Sequence, residues 1–153
     1  MRTADEWFSN YAADHQNPTN RSIHWVCVPS ILWSAIAALW TIPPLSAAAV
    51  PGLWAYLAMA AALVFYWRLS TSVGLGMLAL FALFATLTHL LFQALGAHAL
   101  LSLAVVVFVV AWVGQFIGHK YEGRKPSFLT DLSYLLVGPA WLLSKLMHRV
   151  GVA

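Results

Sequence analysis

The chain has 153 residues, of which 61% are hydrophobic and 8% are charged, and its formal net charge is +3. Soluble globular domains contain about 45–50% apolar and about 25% charged residues, so this composition excludes a soluble globular enzyme and a disordered protein. Cys27 is the only cysteine, which excludes an internal disulfide. The composition predicts one integral membrane domain over residues 1–153.

The apolar part of the chain follows a polar N-terminal arm, residues 1–22. Two tracts, 22–67 and 69–119, contain no Lys, Arg, Asp or Glu. One helical crossing needs about 20 residues, so each tract has room for two helices and a turn. Pro43-Pro44 marks the first turn and Gly96 the second. We predict an all-α, polytopic membrane protein whose four transmembrane helices form two hairpins, at 24–42, 47–67, 72–95 and 99–118.

The C-terminal part of the chain has a different pattern. Residues 119–131 form a polar segment, and 132–153 form a shorter apolar stretch and tail. The uncharged run between Asp131 and Lys145 is interrupted by Gly138-Pro139, and a run of about 10–14 residues is more often interfacial than spanning. We therefore predict an amphipathic or re-entrant segment here, with a fifth crossing as the alternative.

The distribution of basic residues predicts the orientation. Four crossings place the arm, the turn at Arg68 and the segment 119–131 on one face, and the turns on the other face carry no Lys or Arg. Because basic residues favour the cytoplasmic side, the charged face is predicted to be cytoplasmic. The expected location is the bacterial inner membrane, or the endoplasmic reticulum membrane in a eukaryote.

Three of the six histidines fall at one predicted depth on this face. His15 lies in the arm, His24 at the start of the first crossing and His119 at the end of the fourth. Imidazole is the commonest protein ligand for transition metals, and three ligands with open positions suit a catalytic ion. With Glu122, three residues after His119, the set suits Fe(II), Mn(II) or Zn(II). The alternative interpretation is solvated or hydrogen-bonded histidines.

Two amide side chains share helical faces with these histidines. Asn20 lies four residues before His24, and Gln115 lies four residues before His119. Side chains at this spacing are neighbours on a helix.

Other polar residues have simpler explanations. Arg124-Lys125 is interpreted as a topology determinant and lipid-headgroup contact, or as a clamp for an anionic substrate. His89 and His98 are explained by helix packing and by a wet turn. The chain contains no phosphate-binding glycine loop and no basic run with interleaved aromatics, so no nucleic-acid partner is expected.

The two polar tracts resemble the family of small membrane proteins typified by the fungal endoplasmic-reticulum 2-hydroxy fatty acid dioxygenase. The first family tract corresponds here to Tyr11, His15, Asn17-Pro18, Asn20, Ile23-His24 and Val28-Pro29, with Gln16 inserted. The second corresponds to Trp112, Gln115-Phe116, Gly118-His119, Glu122 and Arg124-Lys125-Pro126, and Asp131 stands where the family has an acidic residue.

This resemblance implies an iron-dependent dioxygenase that shortens a long-chain 2-hydroxy fatty acid by one carbon, consuming O2 and releasing CO2. It implies Fe(2+) on His15, His24 and His119. It also implies that Glu122 is a further ligand or a proton acceptor, and that Asn20 and Gln115 orient the ligands. Arg124 and Lys125 would attract the carboxylate of the substrate. The acyl chain would lie between helices among membrane lipids, and the oligomeric state is left open.

Two alternatives remain at this point. A non-catalytic membrane scaffold or lipid-binding protein would use the histidines only to cap helices. A lipid hydroxylase or desaturase would use the same ligands for different chemistry, but such enzymes usually show several H-x-x-H-H-type clusters, which this sequence lacks.

Overall fold

A computed structural model describes residues 3–46, 50–129 and 132–151, apart from the side chain of Phe128. These residues form helices and no strand, which confirms the all-α prediction. The helices are α1 (Ala4–Ala13), α2 (Pro18–Trp40), α3 (Leu53–Leu69), α4 (Thr71–Glu122) and α5 (Tyr134–Arg149), with a short 3-10 helix at Ser127–Leu129. The predicted second helix, 47–67, begins partly outside the described residues, and Asp131 lies outside them.

The break between α1 and α2 is encoded locally. The side chain of Asn17 accepts hydrogen bonds from the backbone N–H groups of Thr19 and Asn20, and Pro18 occupies the first turn of α2. An N-cap Asn followed by Pro is a strong helix start, because Pro has no N–H to leave unsatisfied. The chain therefore turns in a short link, residues 14–17, which carries His15.

The third and fourth predicted helices are the two arms of α4. Gly96 interrupts α4 with φ 76° and ψ 171°, a conformation open to glycine and strained for other residues. The first arm is 71–95 and the second arm is 97–122. A straight helix of 52 residues would be about 78 Å long, far more than the hydrocarbon core of about 30 Å.

The second arm of α4 runs back along α2. Leu100, near the start of this arm, packs in one buried cluster with Ala37 of α2. His119, near the end of the arm, lies against His24, near the start of α2. The two helices are therefore antiparallel neighbours.

The outer surface of α4 is apolar. Leu83, Leu90, Val106 and Val110 are between 59% and 65% exposed. Such a surface is typical of helices in apolar surroundings. By length and hydropathy α2 and α4 are candidate membrane spans, and α3 is an apolar helix of 17 residues. The number of crossings and their orientation stay predictions.

The C-terminal helix α5 closes the bundle beside α1. Its middle, 137–142, is buried, and the hydroxyl of Tyr66 donates to the carbonyl oxygen of Leu136 at 3.0 Å. On the same helix the Lys145 ammonium lies 3.7 Å from the centre of the Trp141 ring. The interfacial placement of this segment stays a prediction.

Candidate metal centre

Three histidine rings from separate parts of the chain meet at one end of the bundle. His15 comes from the link, His24 from α2 and His119 from the second arm of α4, and they are 2%, 1% and 5% exposed. Their ring centroids lie 4.4 to 5.1 Å apart, with planes inclined at 73° to 81°. One nitrogen of each ring lies within 4.8 Å of the others, as ligands of a single metal ion require.

Backbone carbonyls orient two of these rings. The Nδ1 atom of His15 lies 2.6 Å from the carbonyl oxygen of Tyr11, and that of His24 lies 2.9 Å from the carbonyl oxygen of Asn20. Because a carbonyl oxygen only accepts, each Nδ1 carries the proton and each Nε2 keeps a free lone pair. The contacts thereby select the tautomer that binds a metal through Nε2.

The two Nε2 atoms lie 3.0 Å apart. Two lone pairs at this distance repel each other unless a cation or a proton lies between them. Two imidazole nitrogens bound to one ion also lie about 3 Å apart, since each metal–nitrogen bond is about 2.1 Å long. The His15–His24 pair therefore has the donor chemistry and the spacing of a metal site.

His119 adds a third donor. Its Nδ1 atom is buried and has no hydrogen-bond partner within the part of the chain that the structure describes. An unsatisfied buried nitrogen costs about 1–3 kcal/mol, which a ligand bond or a rearranged contact would recover. Three neutral nitrogens suit Fe(II) or Zn(II) and leave coordination positions for oxygen ligands.

Burial keeps His15 neutral. Removal from water lowers the pKa of His15 below its usual range, although its hydrogen bond to Tyr11 and the nearby carboxylates of Asp14 and Glu122 act in the opposite direction. The neutral ring is the form that coordinates a metal.

Glu122 ties the end of α4 to the link. Its carboxylate accepts hydrogen bonds from the backbone N–H of Gln16 at 2.8 Å, from that of Asn17 at 2.9 Å and from Asn20 Nδ2 at 2.9 Å. It does not belong to the group of converging donors, which consists of the three histidines among the described residues. The structure thus gives Glu122 a positioning geometry, and its role as ligand or proton acceptor stays a prediction.

The close approach of α2 and α4 depends on small residues. A Cβ atom at Gly118 would lie 2.5 Å from Asn20 Oδ1, and one at Gly114 would lie 2.6 Å from Cys27 Sγ. Because glycine has no side chain, α2 and α4 approach closely at these two positions, as in other small-xxx-small contacts. This packing sets the distance between His24 and His119.

A cavity of about 300 Å³ adjoins the histidines. The three rings, Gln115 and Ser127 supply its polar end, and Tyr11, Tyr134 and apolar residues of α2, α4 and α5 line the rest. The volume is at the lower end of the range for small-molecule sites, about 300–1,000 Å³. Asn20, Glu122, Arg124 and Lys125 do not line it.

Comparison with known proteins assigns the family. A sequence profile described as "2-hydroxy-palmitic acid dioxygenase Mpo1-like" matches residues 1–150. The chain belongs to the Mpo1-like family. The Saccharomyces cerevisiae protein named 2-hydroxy-palmitic acid dioxygenase MPO1 is 28% identical over 149 residues, which cover 92% of this chain and 78% of the yeast protein. No solved structure matches the chain significantly. The resemblance based on the two polar tracts is therefore confirmed.

Tyr11 is a part of the site to which the sequence assigned no role in this Mpo1-like protein. Its ring stacks on that of His15, with centroids 4.0 Å apart and an angle of 19°, and Trp141 packs edge-on against Tyr11 at 5.1 Å. Its place in the first family tract, four residues before His15, was the available signal for Tyr11. No local signal indicated Trp141, which comes from the other end of the chain.

Arg124 has a partner within the protein. Its guanidinium lies 3.2 Å from a carboxylate oxygen of Asp14, whose other oxygen accepts a hydrogen bond from Ser127 at 2.9 Å. The Arg124 side chain is 61% exposed, so this pair contributes about 0–1 kcal/mol. Attraction of a substrate carboxylate by Arg124 and Lys125 stays a prediction.

Proposed function

We propose that this Mpo1-like protein is a membrane-bound, Fe(2+)-dependent dioxygenase that shortens long-chain 2-hydroxy fatty acids by one carbon. In the balanced reaction, the 2-hydroxy acid and O2 give the fatty acid one carbon shorter, CO2 and water. The observation that carries the proposal is the pair of Nε2 atoms 3.0 Å apart, held at the polar end of an apolar cavity. Family membership supports an oxidoreductase acting in 2-hydroxy fatty acid metabolism.

In this proposal His15, His24 and His119 hold the ion. When bound, Fe(2+) would supply redox chemistry with O2 and open positions for the oxygen atoms of the substrate. The converging histidines and the dioxygenase name of the yeast relative support iron. Burial of the three rings excludes bulk water from the site.

The remaining residues divide into two groups. Gln115 lines the polar end of the cavity, where it can contact the carboxyl and hydroxyl groups of the substrate. Asn20 and Glu122 act from outside the cavity by holding the segments that carry His15 and His24. Mutation of residues that support a metal ligand in this way typically lowers metal affinity by about 10–100-fold.

We further propose that α2, α3 and the two arms of α4 are the four crossings, with the histidines at the cytoplasmic interface. The exposed apolar surface of α4 supports contact with lipid. Arg68 at the end of α3, and Lys120 in the last turn of α4, support the cytoplasmic orientation. An interfacial site suits a substrate with a polar head and an insoluble tail.

The test is a metal analysis of the purified protein, combined with oxygen uptake on 2-hydroxypalmitate. We expect about one iron per chain and formation of pentadecanoate with CO2. Iron-free protein, or oxygen uptake without chain shortening, would contradict the proposal. Palmitate, which lacks the 2-hydroxyl, is the matched control and should not be shortened.

A further inference from the structure

Stripes of side chains on α2 and α4 form two walls of the cavity, and α5 supplies a third. On α2 the stripe runs from His24 through Val28 to Ala35, and on α4 it runs from His119 through Trp112 to Phe108. Each stripe covers twelve residues, so its ends lie about 16 Å apart at a rise of about 1.5 Å per residue. Because the helices are antiparallel, the histidines lie at one end of the cavity, and Ala35 and Phe108 lie at the other.

Burial changes steadily along both stripes. On α2 it falls from His24, 1% exposed, through Val28 at 7% to Ala35, which is exposed. On α4 His119 is 5% exposed and Phe108 is 41% exposed. Both stripes are therefore buried at the histidines and exposed at the apolar end of the cavity, and Leu135 of the α5 wall is 44% exposed.

The dimensions of the cavity suit a single acyl chain. A cavity of about 300 Å³ that extends over about 16 Å is narrow on average. Half of a hydrocarbon core of about 30 Å is about 15 Å, so a cavity that starts at the interface ends near the middle of the membrane. A fatty acid in one leaflet has the same placement, with its head at the interface and its tail toward the midplane.

We propose that this cavity is an open-ended slot for a single acyl chain, that the substrate enters it sideways from the membrane, and that Ala35 and Phe108 form its mouth. This inference rests on the proposed function, because the head of the chain is placed at the histidines. The slot accepts a free single-chain acid and excludes two-chain lipids. Its open end lets a longer tail extend past Ala35 into lipid, so chain length is not limited by a closed end.

Narrowing the mouth tests the slot. In Ala35→Trp the new ring obstructs the path of a long tail, so kcat/KM for 2-hydroxypalmitate should fall by about tenfold or more. The tail of 2-hydroxyoctanoate ends before the mouth, so its kcat/KM should change by less than about twofold. Ala35→Leu should give a smaller loss of the same kind. Ala61→Trp, at an exposed alanine of α3, is the matched control and should affect neither substrate. Equal losses for both substrates, or none in Ala35→Trp, would overturn the slot.

Photolabelling of the unmodified protein tests occupancy without turnover. The probe is 2-hydroxypalmitate with a diazirine near its terminal methyl group, added to the protein in phosphatidylcholine nanodiscs. The label should map to Ala35, Phe108 and their neighbours, and palmitate should compete with it, whereas dipalmitoyl phosphatidate should not. Labelling centred on the separate groove at Gly76 and Leu146, or equal competition by the two-chain lipid, would overturn the proposal.

The two proposals fail in different ways. If the label maps to Ala35 and Phe108 but no 2-hydroxy acid is shortened, the slot stands and the proposed reaction is wrong. If 2-hydroxypalmitate is shortened but the label maps elsewhere, the reaction stands and the slot is wrong.

Discussion

Histidines occur at two ends of the helix bundle, with His15, His24 and His119 at one end and His89 and His98 at the other. The first three are buried, and two of them are oriented by backbone carbonyls. The latter two are exposed, and His89 has a loose ring contact with Trp40 at 6.1 Å. Residue type alone therefore does not make a site, which also needs burial, a selected tautomer and the convergence of distant segments.

The largest expected effect follows from removing one of the converging histidines. His15→Ala, His24→Ala and His119→Ala should each lose most bound iron and all measurable turnover, because no water reproduces the lost ligand in the same geometry. Metal analysis and oxygen uptake measure this. His89→Ala and His98→Ala are the controls at the opposite end, and comparable iron loss in them would refute the assignment of the site.

A labelling experiment tests whether the two ends lie on opposite sides of the membrane. In a Cys27→Ala background, Ser9→Cys in α1 should react with a membrane-impermeant maleimide only from the cytoplasmic side, and Ala99→Cys only from the other. Both positions are exposed. Reaction of both from the same side would show that the second arm of α4 does not cross the membrane as proposed.

The distance between α2 and α4 at the histidine end should affect iron binding. In Gly118→Ala the new Cβ would lie 2.5 Å from Asn20 Oδ1, so either the Asn20 side chain gives up its hydrogen bond to Glu122 or α2 moves away from α4. We expect an overpacking cost of about 1–3 kcal/mol and weaker iron binding, measured by thermal unfolding and chelator competition. Gly76→Ala, which meets flexible side chains of Leu143 and Met147, should cost stability without changing iron affinity.

Glu122 should act on metal affinity through the link. Glu122→Gln replaces one of two accepting oxygens by an NH2 group, which cannot accept from the backbone N–H groups that the carboxylate binds. We expect iron affinity to fall by about 10–100-fold, with turnover restored by excess iron. Glu6→Gln, in the capping box of α1, is the control. Turnover that stays absent at saturating iron would instead support direct participation of Glu122 in the reaction.

The smallest effect is expected at Arg124. Because its guanidinium pairs with Asp14 outside the cavity, Arg124→Ala should change KM for 2-hydroxypalmitate by less than about threefold, as should Asp14→Ala. Steady-state kinetics on both variants test this expectation. A rise in KM in Arg124→Ala that Asp14→Ala does not share would support the predicted role of Arg124 in attracting the substrate carboxylate.

Local patterns in the sequence were sufficient for much of the fold. Charge-free tracts predicted helices that correspond to α2, α3 and the two arms of α4, because an uninterrupted apolar run of that length has few other stable structures. The sequence predicted the second turn at Gly96. The structure has the break in α4 there, in a backbone conformation that favours glycine. The spacing of charges also predicted that His15, His24 and His119 lie at one depth.

Contacts between distant segments were decided only by the tertiary structure. Glu122 binds residues more than a hundred positions away in sequence, and Arg124 pairs with Asp14 from the same distance. These contacts depend on how the helices pack to within a few tenths of an ångström. Such small shifts decide which oxygen accepts from which N–H, and whether a nitrogen lone pair faces a cavity or solvent. Hydropathy and spacing indicate depth and helical face, but they carry no information on how the link 14–17 folds back against α2, and that fold turns the Nε2 atoms of His15 and His24 toward each other.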